Sequence, residues 1–327
     1  MKSPLNRRQI LLAGTLAALT PSAQADAAAP DGEPLELWPG GAPGGEHVTV
    51  HEEVIERLPE GPMRDRFVQH VTRPLLTLFP PKGAPNGITL LIVPGGGYVR
   101  VVIDKEGFEA AEWFSARGFG AAVLRYRLPA DGWVAGADAP VHDAMRAMRL
   151  LRQGGNVDRR LKGYAPPRVG VIGFSAGGHL CARLLTEPSL AYAHHDAADD
   201  LSARPDFGVL MYPVIATTGA PVHAGSAQQL LAAGVAQTEL ARYSPHLNVK
   251  AGTPPTMLVH AGDDTNVPVE NSLLMYDALR KAQVRSELHV FDSGGHGFGL
   301  RSVAGKDVAA WPTLVQNWAM TNAAPAA

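Results

Sequence analysis

Cysteine is nearly absent from this chain of 327 residues: Cys181 is its one thiol. A single thiol closes no internal disulfide, and its place in a helical pattern makes it a small buried hydrophobe rather than a reactive group. Charge is sparse too, at 18% of residues with a net charge of -2. No basic run lies beyond the N-terminus and no aromatic residues interleave with basic ones, which removes the electrostatic footprint of a nucleic-acid binder. Long apolar runs are lacking as well. The best, 10–19, has about half the length a membrane span needs, so no stable membrane insertion is expected. Internal repeats are also missing. What is there, 46% hydrophobic residues, is the composition of an ordinary soluble globular protein with roughly one large domain.

The N-terminus reads as a targeting segment. Lys2, Arg7 and Arg8 precede the apolar stretch, and Pro21 and the small-residue run Ala23-Gln24-Ala25 follow it, with cleavage expected before Asp26. The adjacent Arg7-Arg8 points to twin-arginine export, with an ordinary Sec signal as the alternative. Residues 1–25 are therefore expected to be a signal peptide and 26–327 a single catalytic domain, periplasmic or secreted.

From about residue 34 the chain alternates between apolar runs and helical patterns. Strands are expected at 48–54, 68–78, 88–93, 120–126, 168–174, 207–212, 256–261 and 286–291. The middle runs are continuously apolar, as in parallel strands covered on both faces. Helical spacing at 108–117, 139–153, 176–185 and 269–282 supplies the crossovers such strands require. The expectation is an α/β fold with about eight mostly parallel strands, helices on both faces and no large separate cap. The segment 213–255, with a short helical stretch at 228–241, is too long for a plain connection and is expected to fold over one end of the sheet.

Four loops after expected strands carry chemistry. Gly173-Phe174-Ser175-Ala176-Gly177 is G-x-S-x-G between a strand and a helix, the arrangement of a nucleophile elbow. A serine needs a base, an orienting carboxylate and donors for a developing oxyanion. His296 lies among glycines after the last strand. Asp263 and Asp264 follow the strand before it; Asp264 is preferred, although spacing alone does not separate them. The chain order Ser175, Asp264, His296 is the one this architecture uses. Gly95-Gly96-Gly97 after the strand 88–93 can present backbone amides beside that of Ala176. A phosphate site fails there, since the cluster lacks both G-x-G-x-x-G spacing and a following Lys-Ser/Thr. His194, His195, Asp196, Asp199 and Asp200 lack ligand periodicity and read as a solvated loop; no metal is expected.

These residues carry a resemblance. Leu-Trp-Pro-Gly-Gly-Ala-Pro-Gly (37–44), Val-Pro-Gly-Gly-Gly-Tyr (93–98), Ile-Asp-Lys-Glu-Gly (103–107), Arg-Tyr-Arg-Leu-Pro (125–129), Gly-Phe-Ser-Ala-Gly-Gly-His (173–179), Tyr-Pro-Val-Ile (212–215), 259–272 and Gly-Gly-His-Gly-Phe-Gly-Leu (294–300) resemble an α/β-hydrolase serine esterase of the group that includes acetyl xylan esterases. The likeness spans nearly the whole mature chain. It implies a Ser175-His296-Asp264 triad, an oxyanion hole of Gly96, Gly97 and Ala176, no cofactor, and a small ester or acetylated oligosaccharide as substrate. One departure is that Pro94 stands where many relatives have histidine, so support for the glycine loop must come from elsewhere. Tyr98 and the loop with His223 are expected to contact the sugar or, equally, to pack. Feruloyl and simple alkyl esters also fit an acyl pocket, which discriminates them by only about 1–3 kcal/mol. The alternatives are a serine peptidase of the same fold and a non-catalytic carbohydrate-binding protein. Oligomeric state is not implied.

Overall fold

Strands that are apolar on both faces are stable only where helices cover both sides, and the centre of this molecule is built from such strands. The computed structural model describes residues 32–154, 161, 168–187, 190 and 192–322; the expected signal peptide lies outside them. In chain order the strands are β1 (Glu33–Glu36), β2 (Glu53–Glu56), β3 (Arg66–Gln69), β4 (Leu75–Phe79), β5 (Ile88–Val93), β6 (Gly120–Arg125), β7 (Arg168–Phe174), β8 (Gly208–Met211), β9 (Thr256–Ala261) and β10 (Ser286–Phe291). The helices are α1 (Glu109–Ser115), α2 (Ala139–Gln153), α3 (Ala176–Thr186), α4 (Ala224–Ala232), α5 (Glu270–Lys281) and α6 (Trp311–Asn322).

The main sheet has the order β1-β4-β6-β5-β7-β8-β9-β10. Strands β6 through β10 run parallel in that order, while β4 is antiparallel to both β6 and β1. Every residue of β5 and of β9 is buried, so helices cover both faces. Strand order reverses around β5, the position at which open α/β sheets form a crevice at the carboxyl ends of their strands. Register then decides what meets there. Val93 pairs with Gly173 and Ala261 with Phe291, so the loop after β5 emerges beside the turn after β7, and the loop after β9 beside the one after β10.

A buried ion pair joins distant parts of the chain. The Arg127 and Asp143 side chains are fully buried, with Nη2 and Oδ1 2.8 Å apart. Asp143 also accepts from the Arg127 amide at 2.8 Å and from Trp38 Nε1 at 2.7 Å, while Arg127 Nη1 donates to Pro43 O at 2.8 Å. The 37–44 and 125–129 motifs therefore meet on α2.

Several elements differ from expectation. Of 48–54 only residues 53 and 54 become strand, as the start of β2, which pairs antiparallel with β3 in a separate ribbon. The expected single strand 68–78 is two strands in different sheets, divided by His70 at φ 52 and by Pro74, which has no N–H for a ladder. The eighth strand of the main sheet is instead β1. Helix α6 was not anticipated, although Trp311, Val315, Trp318, Ala319 and Asn322 are buried at helical spacing. The stretch 228–241 splits into the end of α4 and a 3₁₀ turn, Gln237–Tyr243, with Gly234 at φ 88 between them.

The segment 213–255 has its own small core: Leu230, Val235, Leu240 and Tyr243 pack around Ala137. It is tied to α3 through His179, whose Nε2 lies 2.6 Å from Tyr243 O. A carbonyl only accepts, so Nε2 carries the proton and Nδ1 accepts the Tyr98 hydroxyl at 2.7 Å. Burial and the nearby Arg183 push the imidazole down to about 3, against the opposing Tyr243 hydrogen bond.

Two outcomes follow for stability. Asp143→Ala leaves Arg127 buried without its partner and should cost about 3–5 kcal/mol in denaturant unfolding. His179 is neutral in the fold but takes a proton when unfolded below its ordinary value of 6.5. Its contribution is thus complete above about pH 6.5 and lost as pH falls toward about 3, by about 1.4 kcal/mol per pH unit. Unfolding of His179→Gln should show a correspondingly shallower acid slope than wild type between those limits.

Candidate active site

β7 ends in a turn too tight for ordinary side chains. A Cβ on Gly173 would lie 2.3 Å from Gly177 O, and one on Gly177 would lie 2.2 Å from Val93 O. Between them Ser175 sits at φ 53, ψ -117, a strained conformation costing on the order of 1–3 kcal/mol that persists only where its surroundings impose it. The imposing contacts are backbone bonds: Ser175 N donates to Met211 O at 3.0 Å, and Ser175 O accepts from Val214 N and His179 N, both at 3.1 Å.

Ser175 Oγ lies 2.9 Å from His296 Nε2, and His296 Nδ1 lies 2.7 Å from Asp264 Oδ2. The carboxylate accepts at Nδ1–H, which leaves the Nε2 lone pair for the serine proton. Asp264 is held firmly: Oδ1 accepts the amides of Asn266 and Val267, each at 2.9 Å, and His260 Nε2 lies 3.3 Å from Oδ2. Burial opposes its ionisation, but hydrogen bonds from His260, His296 and Val267 outweigh that and keep the carboxyl well below the usual range. Asp263 faces elsewhere. Its Oδ1 accepts the amides of Gly294 and Gly295 at 2.9 and 2.7 Å, so the rival carboxylate anchors the loop that bears His296.

The glycine loop after β5 passes against the serine. A Cβ on Gly95 would lie 2.8 Å from Ser175 Cβ, and one on Gly96, at φ 134, would lie 2.1 Å from Arg100 O. Gly97 follows at φ 67. Backbone this close to Ser175 leaves room only for glycine. Ala176 begins α3, where first-turn N–H groups have no intrahelical acceptor and the helix end is positive. Gly95 thus packs against Ser175, with Gly96 and Gly97 next in the same loop and Ala176 next to the serine in the chain.

Support for the loop, missing at Pro94, comes from two residues the sequence analysis left without a role. Tyr126 Oη donates to Pro94 O at 2.9 Å, and Glu106 Oε2 accepts the Gly95 amide at 2.9 Å. Glu106 is 5% exposed. Its local sequence, Asp104-Lys105-Glu106-Gly107, reads as an ordinary polar turn and carries no signal of that burial.

Tyr98 is a packing residue, not an exposed sugar contact: it is 3% exposed and its hydroxyl is taken by His179. His223 is half-buried and caps α4, its Nδ1 accepting the Ser226 amide at 3.1 Å. Burial lowers its pKa, with further effects from both His296 and Asp264. In the loop 194–200, His194, His195 and Asp200 are exposed as expected, and the Asp199 side chain is the exception. Asp199 is buried and pairs with the buried Arg146 at 3.1 Å; Asp196 pairs with the same guanidinium, and His195 meets Trp38 edge-on. Among the described residues no cluster of three or more His, Cys, Asp or Glu is arranged to hold a metal ion, and no helix is long and apolar enough to cross a membrane. Cys181 is free and buried, and burial pushes its thiol up.

Comparison with known proteins agrees with this architecture. Over 211 residues the chain is 36% identical to endo-1,4-beta-xylanase B of Butyrivibrio fibrisolvens, covering 64% of this chain and 32% of that protein. Over 219 residues it is 33% identical to an acetylxylan esterase of Xylanibacter ruminicola, covering 66% of this chain and 42% of that one. The chain therefore spans well under half the length of these curated relatives. Among solved structures, an acetyl ester-xyloside bifunctional hydrolase from Caldicellulosiruptor lactoaceticus is 33% identical with a TM-score of 0.68, covering 89% of this chain and 96% of that one. A thermophilic esterase from Thermogutta terrifontis, at 24% identity and a TM-score of 0.60 over 82% of this chain and 91% of that one, shares the fold. Residues 132–319 match the prolyl oligopeptidase family, and with the sheet order and these relatives the chain belongs to that α/β-hydrolase family.

Proposed function

We infer that this chain is an exported serine carboxylic ester hydrolase acting on short acyl groups, chiefly acetyl, on xylan-type or related carbohydrates. The observation that carries the reading is the unbroken relay from Ser175 Oγ through His296 to Asp264, at 2.9 and 2.7 Å. In this mechanism Ser175 attacks the ester carbonyl as His296 takes its proton. The carbonyl oxygen becomes an anion facing the amides of Gly96, Gly97 and Ala176, each such donor contributing about 3 kcal/mol to barrier lowering. The protonated His296 gives its proton to the departing alcohol and leaves an acyl-serine. Water, activated by the same histidine, then releases the acid. Every step uses side chains and backbone alone.

The substrate class is supported by the relatives named for acetylxylan and acetyl ester hydrolysis. Export is supported by Arg7-Arg8, the apolar run and Ala23-Gln24-Ala25. Two other activities appear in relatives' names. The family's name favours a peptidase as the second reading, which predicts turnover of peptide amides. Xyloside cleavage calls for two carboxylates flanking the glycosidic bond, whereas the carboxylates around Ser175 are already engaged: Asp264 by His296 and two amides, Glu106 by Gly95 and Tyr212.

Acetate release from acetylated xylo-oligosaccharide, measured beside hydrolysis of an aryl acetate, an aryl xyloside and a peptide anilide, tests this assignment. Release from the sugar is expected, and Ser175→Ala should lower it by roughly 10⁴-fold or more. Activity on the aryl acetate alone would remove xylan, and Ser175-dependent anilide cleavage without ester turnover would replace the esterase by a peptidase. The two neighbouring aspartates should separate sharply: Asp264→Asn lowers kcat by roughly 10⁴-fold, Asp263→Ala by about tenfold, because it removes the acceptor of the Gly294 and Gly295 amides and loosens the histidine loop without touching the imidazole.

A further inference from the structure

We propose that Glu106 is a positioning residue for acyl transfer, a buried carboxylate that locks the oxyanion loop to the loop carrying His296 through the hydroxyl of Tyr212. The role rests on the esterase reading above and extends it to a group outside the triad.

The hydrogen bonds form one directed chain. Gly95 N–H donates to Glu106 Oε2 at 2.9 Å, and Tyr212 Oη lies 3.0 Å from Glu106 Oε1. Gly299 N–H reaches Tyr212 Oη at 3.3 Å. An amide can only donate, so the tyrosine oxygen accepts from Gly299 and its single proton must go to Glu106. The residue at 106 is therefore asked to accept on two separate oxygens. A carboxylate does this; an amide side chain offers one acceptor, and an imidazole offers one.

The two ends of the chain fall where the chemistry is most sensitive to placement. Gly95 precedes the donors Gly96 and Gly97, and Gly299 lies three residues beyond His296. Packing follows the same path. The Tyr212 ring meets His296 edge-on at 5.2 Å and Phe298 at 4.5 Å, and a Cβ on Gly297 would lie 3.5 Å from Glu106 Oε1. Tyr212 itself is held at φ 38, its amide bonded to Val259 O at 2.7 Å. This strained conformation, like that of Ser175, occurs at a strand end facing the crevice. The wide turn that presents Glu106, Asp104–Phe108, is fixed from beneath, since Asp104 accepts the Arg66 amide at 2.7 Å and pairs with its guanidinium at 2.8 Å. The carboxylate thus sits on a rigid base while its two oxygens hold the two loops whose relative position sets the geometry of attack.

Glu106→Gln and Tyr212→Phe, made singly and together in the full chain, test the role. The measurements are kcat and KM on an aryl acetate, the rate of Ser175 labelling by a fluorophosphonate, the affinity for an arylboronic acid that adds to Ser175, and thermal unfolding. The expected result is a fall in kcat of roughly 10–100-fold with KM changed less than about twofold, because a small displacement of donors acts on the transition state more than on the bound ester. Boronate affinity should fall in parallel, and the double variant should be no worse than the poorer single one, since both cut one chain. Should Glu106→Gln not fold, Tyr212→Phe keeps the ring and carries the test alone. Unchanged kcat and boronate affinity in a folded variant, or additive losses that merely follow lowered melting temperature, would overturn the role. An inert, unlabelled wild type would sink the esterase reading and this role with it, whereas an active wild type with unaltered variants sinks this role only.

Discussion

The pairing of β5 with β7 is the constraint on which the site depends. With Val93 opposite Gly173, the chain leaves the sheet at two adjacent points and at the same height. A slip of one residue would turn every apolar side chain of either strand to the other face. Gly95 can therefore lie against Ser175 and Gly177 against Val93 and Pro94, and both must be glycine because there is no volume for a side chain at either contact. The strain at Ser175 belongs to the same constraint: burial of the strands holds the turn in a conformation that an isolated peptide would leave.

Three aspartates with buried side chains are each held by several partners. Asp143 binds Arg127 and Trp38, Asp199 binds Arg146 and Tyr192, and Asp264 binds His296 and two amides. A buried charge that loses one partner carries a large desolvation cost, so each cluster specifies where its elements meet. Asp264 shows how such a cluster becomes useful for chemistry. The bonds that hold its carboxyl ionised also select the tautomer of His296.

Much of the architecture was legible because parallel strands covered on both sides are apolar without interruption. The runs 88–93, 168–174 and 256–261 coincide with strands in the structure; 286–291 does too, although β10 is a half-exposed edge strand of alternating character. The four loops with glycine, serine, aspartate and histidine follow strands because residues unsuited to a ladder mark where it ends. Less legible were the edges. β1 is four residues long and is partnered only by β4, and the break in 68–78 depends on a positive φ at His70 that composition does not announce.

By itself the amino-acid sequence determined the central strands, most of the helices between them and the chain order of the candidate triad, since these depend on local periodicity and on residues a few positions apart. Tertiary structure alone decided which aspartate faces His296, that Tyr98 turns inward to His179, that Asp199 lies in a buried ion pair, and that Glu106 stands beneath the glycine loop. Each of these is a contact between residues far apart in the chain. Two neighbouring carboxylates have the same local chemistry, and only the register of β9 against β10 and the path of the loops beyond them decide which one meets the imidazole.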